Sequence, residues 1–148
     1  MLSFCRMPVA VALLTVPFLV SGCGKKRDPR LPQTVGVTGN VIYRDVPLEK
    51  GTITFHPQGG KGNPADGRLV EGGSFSLSTY STGDGAVLGQ HKVTIQLPPR
   101  LDGEPAGPMD TVPVEYTSVE ETPLSAEVTE GGKNHFEFKV VVEKKKKK

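Results

Sequence analysis

The sequence predicts an all-β protein, built as a single β-sandwich of about seven strands. Short segments with apolar residues at every second position recur along the chain, as expected of strands with one buried face. Stretches rich in glycine and proline separate these segments and are typical of turns and loops. No segment shows a sustained helical period. Several short strands with irregular connections favour two packed sheets.

The predicted domain covers residues 34–143, and its first two strands follow from this alternation. The inward face of the first strand carries Val35, Val37, Gly39, Val41 and Tyr43. A glycine inside a strand predicts a bulge or a close approach by another part of the backbone. A turn over residues 45–50, marked by Pro47, precedes a second strand that is expected to bury Ile53 and Phe55.

The sequence pattern in the middle of the domain predicts a hairpin and then a longer strand. Residues 67–71 and 74–78 flank Gly72-Gly73, which is the pattern of a hairpin. Its inward residues are expected to be Leu69, Phe75 and Leu77. The strand over residues 91–97 is expected to place Val93, Ile95 and Leu97 inward, and Lys92, Thr94 and Gln96 outward.

Three more strands are predicted in the last third of the domain. Residues 114–116 are expected to form a short strand and residues 124–128 a longer one. After a turn over residues 130–133, the strand over residues 135–142 shows the clearest alternation. Its inward residues are expected to be Phe136, Phe138, Val140 and Val142.

A long loop, Pro98 to Pro113, separates these strands from the rest. Its 16 residues include five prolines, which remove backbone donors and prevent strand pairing. Loops of this length are functional or without fixed structure. Leu101 and Met109 are its main apolar residues, and they make it a candidate contact loop. A variable spacer between strands is the alternative interpretation.

Several of these segments together resemble the carboxypeptidase regulatory-like domain. The resemblance is carried by Val37-x-Gly39, Val46-Pro47-Leu48, Gly51-Thr52-Ile53-Thr54-Phe55, Gly72-Gly73-Ser74-Phe75 and Gly89-Gln90-His91-Lys92-Val93. It implies a transthyretin-like (prealbumin-like) β-sandwich. His91 stands where that family usually has a tyrosine. These motif residues are turn glycines and strand residues, so the resemblance supports a fold more than a function.

The residues before the domain resemble the signal peptide of bacterial lipoproteins. Arg6 precedes a run of 14 mostly apolar residues, which leads into Leu19-Val20-Ser21-Gly22-Cys23. That run is shorter than the roughly 20 residues of a membrane-spanning helix. The resemblance implies cleavage between Gly22 and Cys23, with lipid attached to the Cys23 thiol.

This resemblance divides the chain into four parts. They are a signal peptide (residues 1–22), the lipidated cysteine and a flexible tether (23–33), the sandwich domain (34–143) and a lysine tail (144–148). The stretch from Leu31 to Glu143 holds 8 basic and 15 acidic residues, a net charge of −7, whereas the tether and tail are basic. A nucleic-acid-binding domain carries its basic residues on one face of the fold. We therefore expect no nucleic-acid partner.

The sequence contains no recognisable catalytic or metal-binding motif. Cys5 leaves with the signal peptide and Cys23 takes the lipid, so the domain has no free thiol. The three histidines lack the close spacing of metal ligands: His56, His91 and His135. No serine lies in a glycine elbow. We expect no catalytic residue, no metal and no cofactor.

The expected function is a binding or structural role in the cell envelope, for a module that is membrane-anchored and extracytoplasmic. Its expected partners are the membrane, through the N-terminal lipid, and an envelope protein or polysaccharide. One alternative is a subunit that docks on an envelope complex through sheet-edge pairing. Another is a small hydrolase whose site is assembled from distant parts of the chain. The lysine tail is expected to be solvated or to contact anionic lipid and polymers near the anchor.

Overall fold

The computed structural model describes residues 28–99, 103 and 112–141, and these residues form an all-β sandwich, so the predicted fold class is confirmed. The described strands are β1 (Thr34–Val35), β2 (Thr38–Tyr43), β3 (Val46–Pro47), β4 (Thr52–Pro57), β5 (Ala65–Arg68), β6 (Ser74–Ser76), β7 (Ala86–Val87), β8 (Gly89–Gln96), β9 (Ser125–Val128) and β10 (His135–Val140). Three of these strands, β1, β3 and β7, have two residues each, which is too short for their periodicity to be visible in the sequence.

Two four-stranded sheets form the layers of the sandwich. In the first sheet, β2 pairs with β10 along one edge and with β3 and β6 along the other. The second sheet has the order β5-β4-β8-β9. β10 runs parallel to β2, whereas the other pairs are antiparallel. β1 and β7 form a separate two-stranded ladder.

The core lies between the two sheets and contains the residues that alternate inward. Its larger buried side chains are Val37, Val41, Tyr43, Ile53, Phe55, Leu77, Val93, Ile95, Phe138 and Val140. Phe55 belongs to the second sheet, and its ring centroid lies 5.8 Å from those of Phe136 and Phe138 in the first. Aromatic pairs at this separation add to the stability that burial alone provides. These rings therefore join the two layers.

Gly39 allows the close approach that the sequence predicts. A Cβ at this position would meet the Phe136 carbonyl oxygen and would lie 2.6 Å from the Phe75 ring. Any side chain would therefore push β6 and β10 away from β2. The close backbone approach predicted at Gly39 is therefore confirmed, as a contact between neighbouring strands.

The turn predicted over residues 45–50 is wrong in its position. Arg44 and Asp45 both have positive φ angles, 49° and 63°, as in a two-residue hairpin turn. Val46 and Pro47 then form β3 against the end of β2. This turn was not predictable from the residue types, because such turns usually contain Asn-Gly or Asp-Gly.

The hairpin predicted around Gly72-Gly73 forms only in part. The Val70 amide donates to the Ser74 carbonyl, and Asp66 and Ser78 exchange two backbone hydrogen bonds, but the main ladders of the two strands go to other partners. β5 pairs with β4 in the second sheet, and β6 pairs with β2 in the first. A 3-10 helix at Glu71–Gly73 carries the chain from one layer to the other. Leu69, Phe75 and Leu77 are nevertheless buried as predicted, because both layers share one core.

The strand predicted over residues 114–116 is also wrong. Val114–Tyr116 is a one-turn 3-10 helix, in which Val114 is 71% exposed and Tyr116 is buried. The Tyr116 hydroxyl donates to the Val141 carbonyl and accepts from the Val141 amide, at 3.1 Å in each case. This segment is therefore fixed to the end of β10 by a side chain and not by a sheet ladder.

Thr94, expected on the outward face of β8, is buried with 2% exposure. Lys92 lies on the same face, and its ammonium donates to the Thr122 carbonyl at 3.0 Å. The segment that ends at Thr122 therefore lies beside this face. The face predicted for Thr94 is therefore correct, but a segment distant in sequence covers it. Long-range packing of this kind has no periodic signal, so its burial was not predictable.

Candidate functional site

The site residues predicted from the sequence lie outside the described residues. They are Gly22 and Cys23 of the cleavage and lipidation site, and Leu101 and Met109 of the proline-rich loop. Val142, the last inward residue predicted for β10, and the lysine tail lie outside them as well. Their roles stay predictions. A candidate site can therefore be described only from the residues of the domain that the structure describes.

The tether enters the domain at one end of the sandwich, which we call the tether end. The Gln33 amide donates to Glu130 Oε1 at 2.9 Å, in the turn before β10. Thr38 and His135, at the starts of β2 and β10, are register partners, and their side chains are 3.0 Å apart. The start of β8 lies here too, because Gly89 pairs with Val128, which leads into the same turn.

The opposite end of the sandwich, which we call the distal end, follows from these strand directions. β2 and β10 are parallel, so Tyr43 and Val140 lie side by side at this end. β8 runs away from the tether end, so its last residue, Gln96, also lies distally. Gln96 is the register partner of Thr52, at the start of β4.

A cleft of about 560 Å³ opens at the distal end, and we call it the polar cleft. Its polar residues are Glu49, Lys50, Thr52, Arg68 and Gln96, and its apolar residues are Leu69, Leu97, Pro98 and Pro99. Thr52 is the register partner of both Arg68 and Gln96, so these three form one row across β5, β4 and β8. With neighbouring strands about 4.8 Å apart, the row is roughly 10 Å wide.

Gly51 holds the start of β4 close to the end of β8 in this cleft. Its φ angle is 125°, and a Cβ there would lie 2.6 Å from the Gln96 carbonyl oxygen. A residue other than glycine would be strained and would also clash with the backbone. The shape of the polar cleft therefore depends on this glycine.

The charges in the polar cleft are only partly paired. Glu49 Oε1 accepts a hydrogen bond of 3.1 Å from the Gly72 amide. Among the described residues, nothing forms an ion pair or hydrogen bond with the Lys50 ammonium or the Arg68 guanidinium. Two cations thus remain available in one cleft of a domain that is acidic as a whole.

The three histidines do not form a common site. Nδ1 of His91 lies 3.0 Å from the Gly89 carbonyl oxygen, and its buried Nε2 has no hydrogen-bond partner in the part of the chain that the structure describes. The ring packs against Phe55 in the core, as its position in the alternation predicts, and burial lowers its pKa. His135 lies on the exposed face of β10, against Thr38. In the described part of the chain, no group of three His, Cys, Asp or Glu residues could hold a metal ion.

Two hydroxyl–imidazole pairs have the separation of a nucleophile and a base: the exposed pair of Thr38 and His135 at the tether end, and a pair of Thr94 and His56 on a covered face of the second sheet. The His56 Nε2 and the Thr94 hydroxyl are 2.9 Å apart, within the range such pairs need. Burial lowers the pKa of His56, which favours the neutral ring. Thr94 is only 2% exposed, however, so a substrate carbonyl cannot reach its oxygen in this structure. The hydrogen bond between Thr94 and His56 therefore satisfies two polar groups on the covered face of β4 and β8.

Sequence reasoning identified none of the polar residues of the cleft as a site, although Pro98 and Pro99, which line it, begin the predicted contact loop. Thr52 and Gln96 occupy outward positions of two predicted strands, so their exposure follows from the alternation. Their meeting with Arg68 depends on the pairing of β4 with both β5 and β8. Periodicity carries no information on which strands pair, so nothing in the sequence indicated the row.

Comparisons with protein-family models, curated proteins and solved structures find no match to this chain. The resemblance to the carboxypeptidase regulatory-like domain therefore stays a prediction based on the motif residues. Within residues 28–99, 103 and 112–141, no helix is long and apolar enough to cross a membrane.

Proposed function

We propose that this chain is a lipid-anchored module that faces the outside of the cytoplasmic membrane and acts by binding. The observation that carries the proposal is the separation of the two ends of the sandwich. The tether enters beside Glu130, and the polar cleft opens at the opposite end. A lipid on Cys23 would hold the cleft away from the bilayer surface, where a partner can reach it.

The distance between the lipid and the domain supports this arrangement. Ten residues, 24–33, separate Cys23 from β1, which begins at Thr34. An extended chain of this length reaches at most about 35 Å. The six residues of β2 add roughly 20 Å between the two ends of the sandwich. The polar cleft can therefore stand well beyond the lipid head groups.

Binding fits the polar cleft better than catalysis does. The cleft offers a hydroxyl, an amide, a carboxylate and two cations that have no partner among the described residues, which are groups that recognise a ligand. Neither hydroxyl–imidazole pair lines the cleft: Thr94 is buried beside the half-buried His56, and Thr38 and His135 lie at the tether end. A carboxypeptidase regulatory-like module with a transthyretin-like sandwich would be a domain of this non-catalytic kind.

A labelling experiment on the full chain tests the exposure of the cleft. With lipid on Cys23, the mature protein has no other thiol, so Gln96→Cys creates a single reactive position. A membrane-impermeant maleimide should modify Gln96→Cys in spheroplasts before lysis. The control is Val93→Cys, whose buried thiol should react only after denaturation. Labelling of Gln96→Cys only after lysis would contradict the proposal.

The edge of β10 supports a second candidate function, docking on an envelope complex. Among the described strands, β10 pairs only with β2, so its other edge is open to another strand. The Asn134 carbonyl accepts from the Thr38 amide, and in a parallel ladder this leaves the Glu137 amide on the open edge. Glu137→Pro should therefore release a docked partner, whereas Glu137→Ala should keep it. Equal retention by both variants would exclude this edge.

A further inference from the structure

We propose that the polar cleft binds an anionic saccharide, that is, a sugar chain that carries carboxylate or phosphate groups. This inference rests on the proposed function, because it names the ligand class of the same cleft. It is carried by three properties of the described residues: the free cations, the mixed hydrogen-bonding row and the position at the distal end.

The two cations make this cleft a place where an anion can bind to an otherwise acidic domain. Arg68 and Lys50 are both exposed and have no partner among the described residues. A guanidinium forms paired hydrogen bonds with carboxylate or phosphate, and an ammonium adds a point charge. The net charge of −7 between Leu31 and Glu143 should repel anions from other parts of the surface.

The rest of the polar lining is suited to hydroxyl groups. Thr52 and Gln96, beside Arg68, can each donate and accept a hydrogen bond, and Glu49 can accept one. A bare inorganic anion would leave these groups unused. A purely acidic peptide would place its charge beside the Glu49 carboxylate. A ligand with both anionic groups and hydroxyls makes use of all of them.

The size and apolar side of the cleft agree with a sugar ring. Its volume of about 560 Å³ lies within the roughly 300–1,000 Å³ that small-molecule sites usually have. Leu97 is half-buried, and Pro98 and Pro99 are exposed beside it, so together they offer an apolar surface. The C–H groups of a pyranose can pack against such a surface while its hydroxyls face the polar row.

The position of the cleft identifies the source of the ligand as the surrounding envelope. The tether leaves from the opposite end, so the head groups of the anchoring bilayer lie on the far side of the domain. The last described residue, Val141, is also at the distal end, held there by Tyr116. Lys144 follows three residues later in the sequence. The lysine tail must therefore be controlled for in any binding test.

The test uses the full lipidated chain in neutral detergent micelles, with binding measured by titration calorimetry. The probes are polygalacturonate oligomers for a carboxylate sugar and phosphomannan oligosaccharides for a phosphate sugar, with dextran as a neutral sugar and polyglutamate as a non-sugar anion. One or both anionic sugars should bind, dextran should not, and polyglutamate should bind more weakly. The two anionic probes distinguish the carboxylate from the phosphate ligand.

Matched variants assign the binding to the cleft. Arg68→Gln and Lys50→Gln should each weaken binding by about tenfold, the typical effect of losing a charged hydrogen bond. Arg44→Gln and Lys139→Gln remove the same charge from exposed positions outside the cleft and should change the affinity by less than about twofold. Gln96→Leu should weaken binding of the sugar but not of polyglutamate. Unchanged thermal unfolding of each variant shows that the fold is kept.

Three results would overturn the inference. One is an equal loss of affinity in all four charge variants, which indicates attraction to the whole surface. Another is equal binding of polyglutamate and the sugars. The last is loss of all binding when lysines 144–148 are replaced by glutamine, because the tail would then be the binding segment. A chain that is labelled from outside the cell but binds no anionic sugar contradicts only this inference and leaves the proposed function intact.

Discussion

Some side chains of this domain contact residues of both sheets, and Phe55 shows this most clearly. Its ring lies within 6.2 Å of the rings of Phe75, Phe136 and Phe138, all from the opposite sheet, and within 5.8 Å of His91. The chain has no tryptophan, and no disulfide is available to the domain. The few aromatic rings of this cluster therefore contribute a large share of the stability of the domain.

Phe138→Ala tests this cluster. Truncation of a buried phenylalanine typically costs about 3–5 kcal/mol, because it leaves a cavity. Lys139→Ala, one residue later on the exposed face, removes only a solvated pair with Glu137 and should have little effect. Urea unfolding of both variants measures the difference. Equal costs would show that the alternation of β10 is wrongly assigned.

His91 should make the stability of the domain depend on pH. Burial lowers its pKa below the ordinary value of 6.5, against a smaller raising effect of the hydrogen bond to Gly89. As the pH falls, the unfolded chain therefore takes up the proton first. Stability is fully present above about pH 6.5 and is lost progressively as the pH falls below it.

Urea unfolding between about pH 7.5 and about pH 5 measures this effect. The free energy of unfolding should fall with acidification in the wild type and fall less in His91→Phe. The control is His56→Gln, because burial also lowers the pKa of His56. That half-buried ring should account for a smaller part of the slope. The same slope in wild type and His91→Phe would contradict the assignment.

Individual strands were predictable where their own side chains alternate between core and solvent. The inward residues of β2, β4, β8 and β10 follow from this pattern, and so does the burial of His91. The main partners of each strand did not follow: the two arms of the hairpin around Gly72-Gly73 meet at Asp66 and Ser78, but their ladders are formed with β4 and β2. The burial of Thr94 and the 3-10 helix at Val114–Tyr116 depend on contacts with distant segments, which leave no local pattern.

Tyr116→Phe tests the link between the 3-10 helix and the end of β10. It removes a hydroxyl that serves both the amide and the carbonyl of Val141 in a partly buried place. The expected cost is about 1 kcal/mol, typical of a lost hydrogen bond. Tyr80→Phe is the control, since its hydroxyl accepts one bond, from the exposed Asn63 amide. A cost for Tyr80→Phe as large as that for Tyr116→Phe would count against the link.

The whole molecule has two distinct ends, the tether end and the distal end. β2 and β10 run parallel to each other from the first to the second. The sequence alone predicted the sandwich and the anchor, and it identified the histidines and the proline-rich loop as the places to examine for a site. It did not predict the polar cleft, because Lys50, Thr52, Arg68 and Gln96 come from three separate strands and a connection. The lysine tail lies outside the described residues, so its expected contacts with anionic lipid and polymers stay a prediction.

Cys23→Ser tests the anchor of the whole molecule. The variant should incorporate no labelled fatty acid and should accumulate as uncleaved precursor, because serine cannot form the thioether. Cys5→Ser is the control and should be processed normally. Two or three acyl chains hold a protein firmly, at about 0.8 kcal/mol per buried methylene. Fatty-acid labelling of the Cys23→Ser variant would refute lipidation at this position.

The parallel pairing of β2 with β10 also determines when the domain can fold. Thr38 and His135 are neighbours in space but 97 residues apart in sequence. Contacts over such separations form slowly, since a long loop must close before they contribute to stability. A chain that crosses a membrane N-terminus first delivers β2 long before Phe136 and Phe138 arrive to cover Phe55. If the chain is exported as we propose, the emerging polypeptide lacks a complete core until β10 has followed.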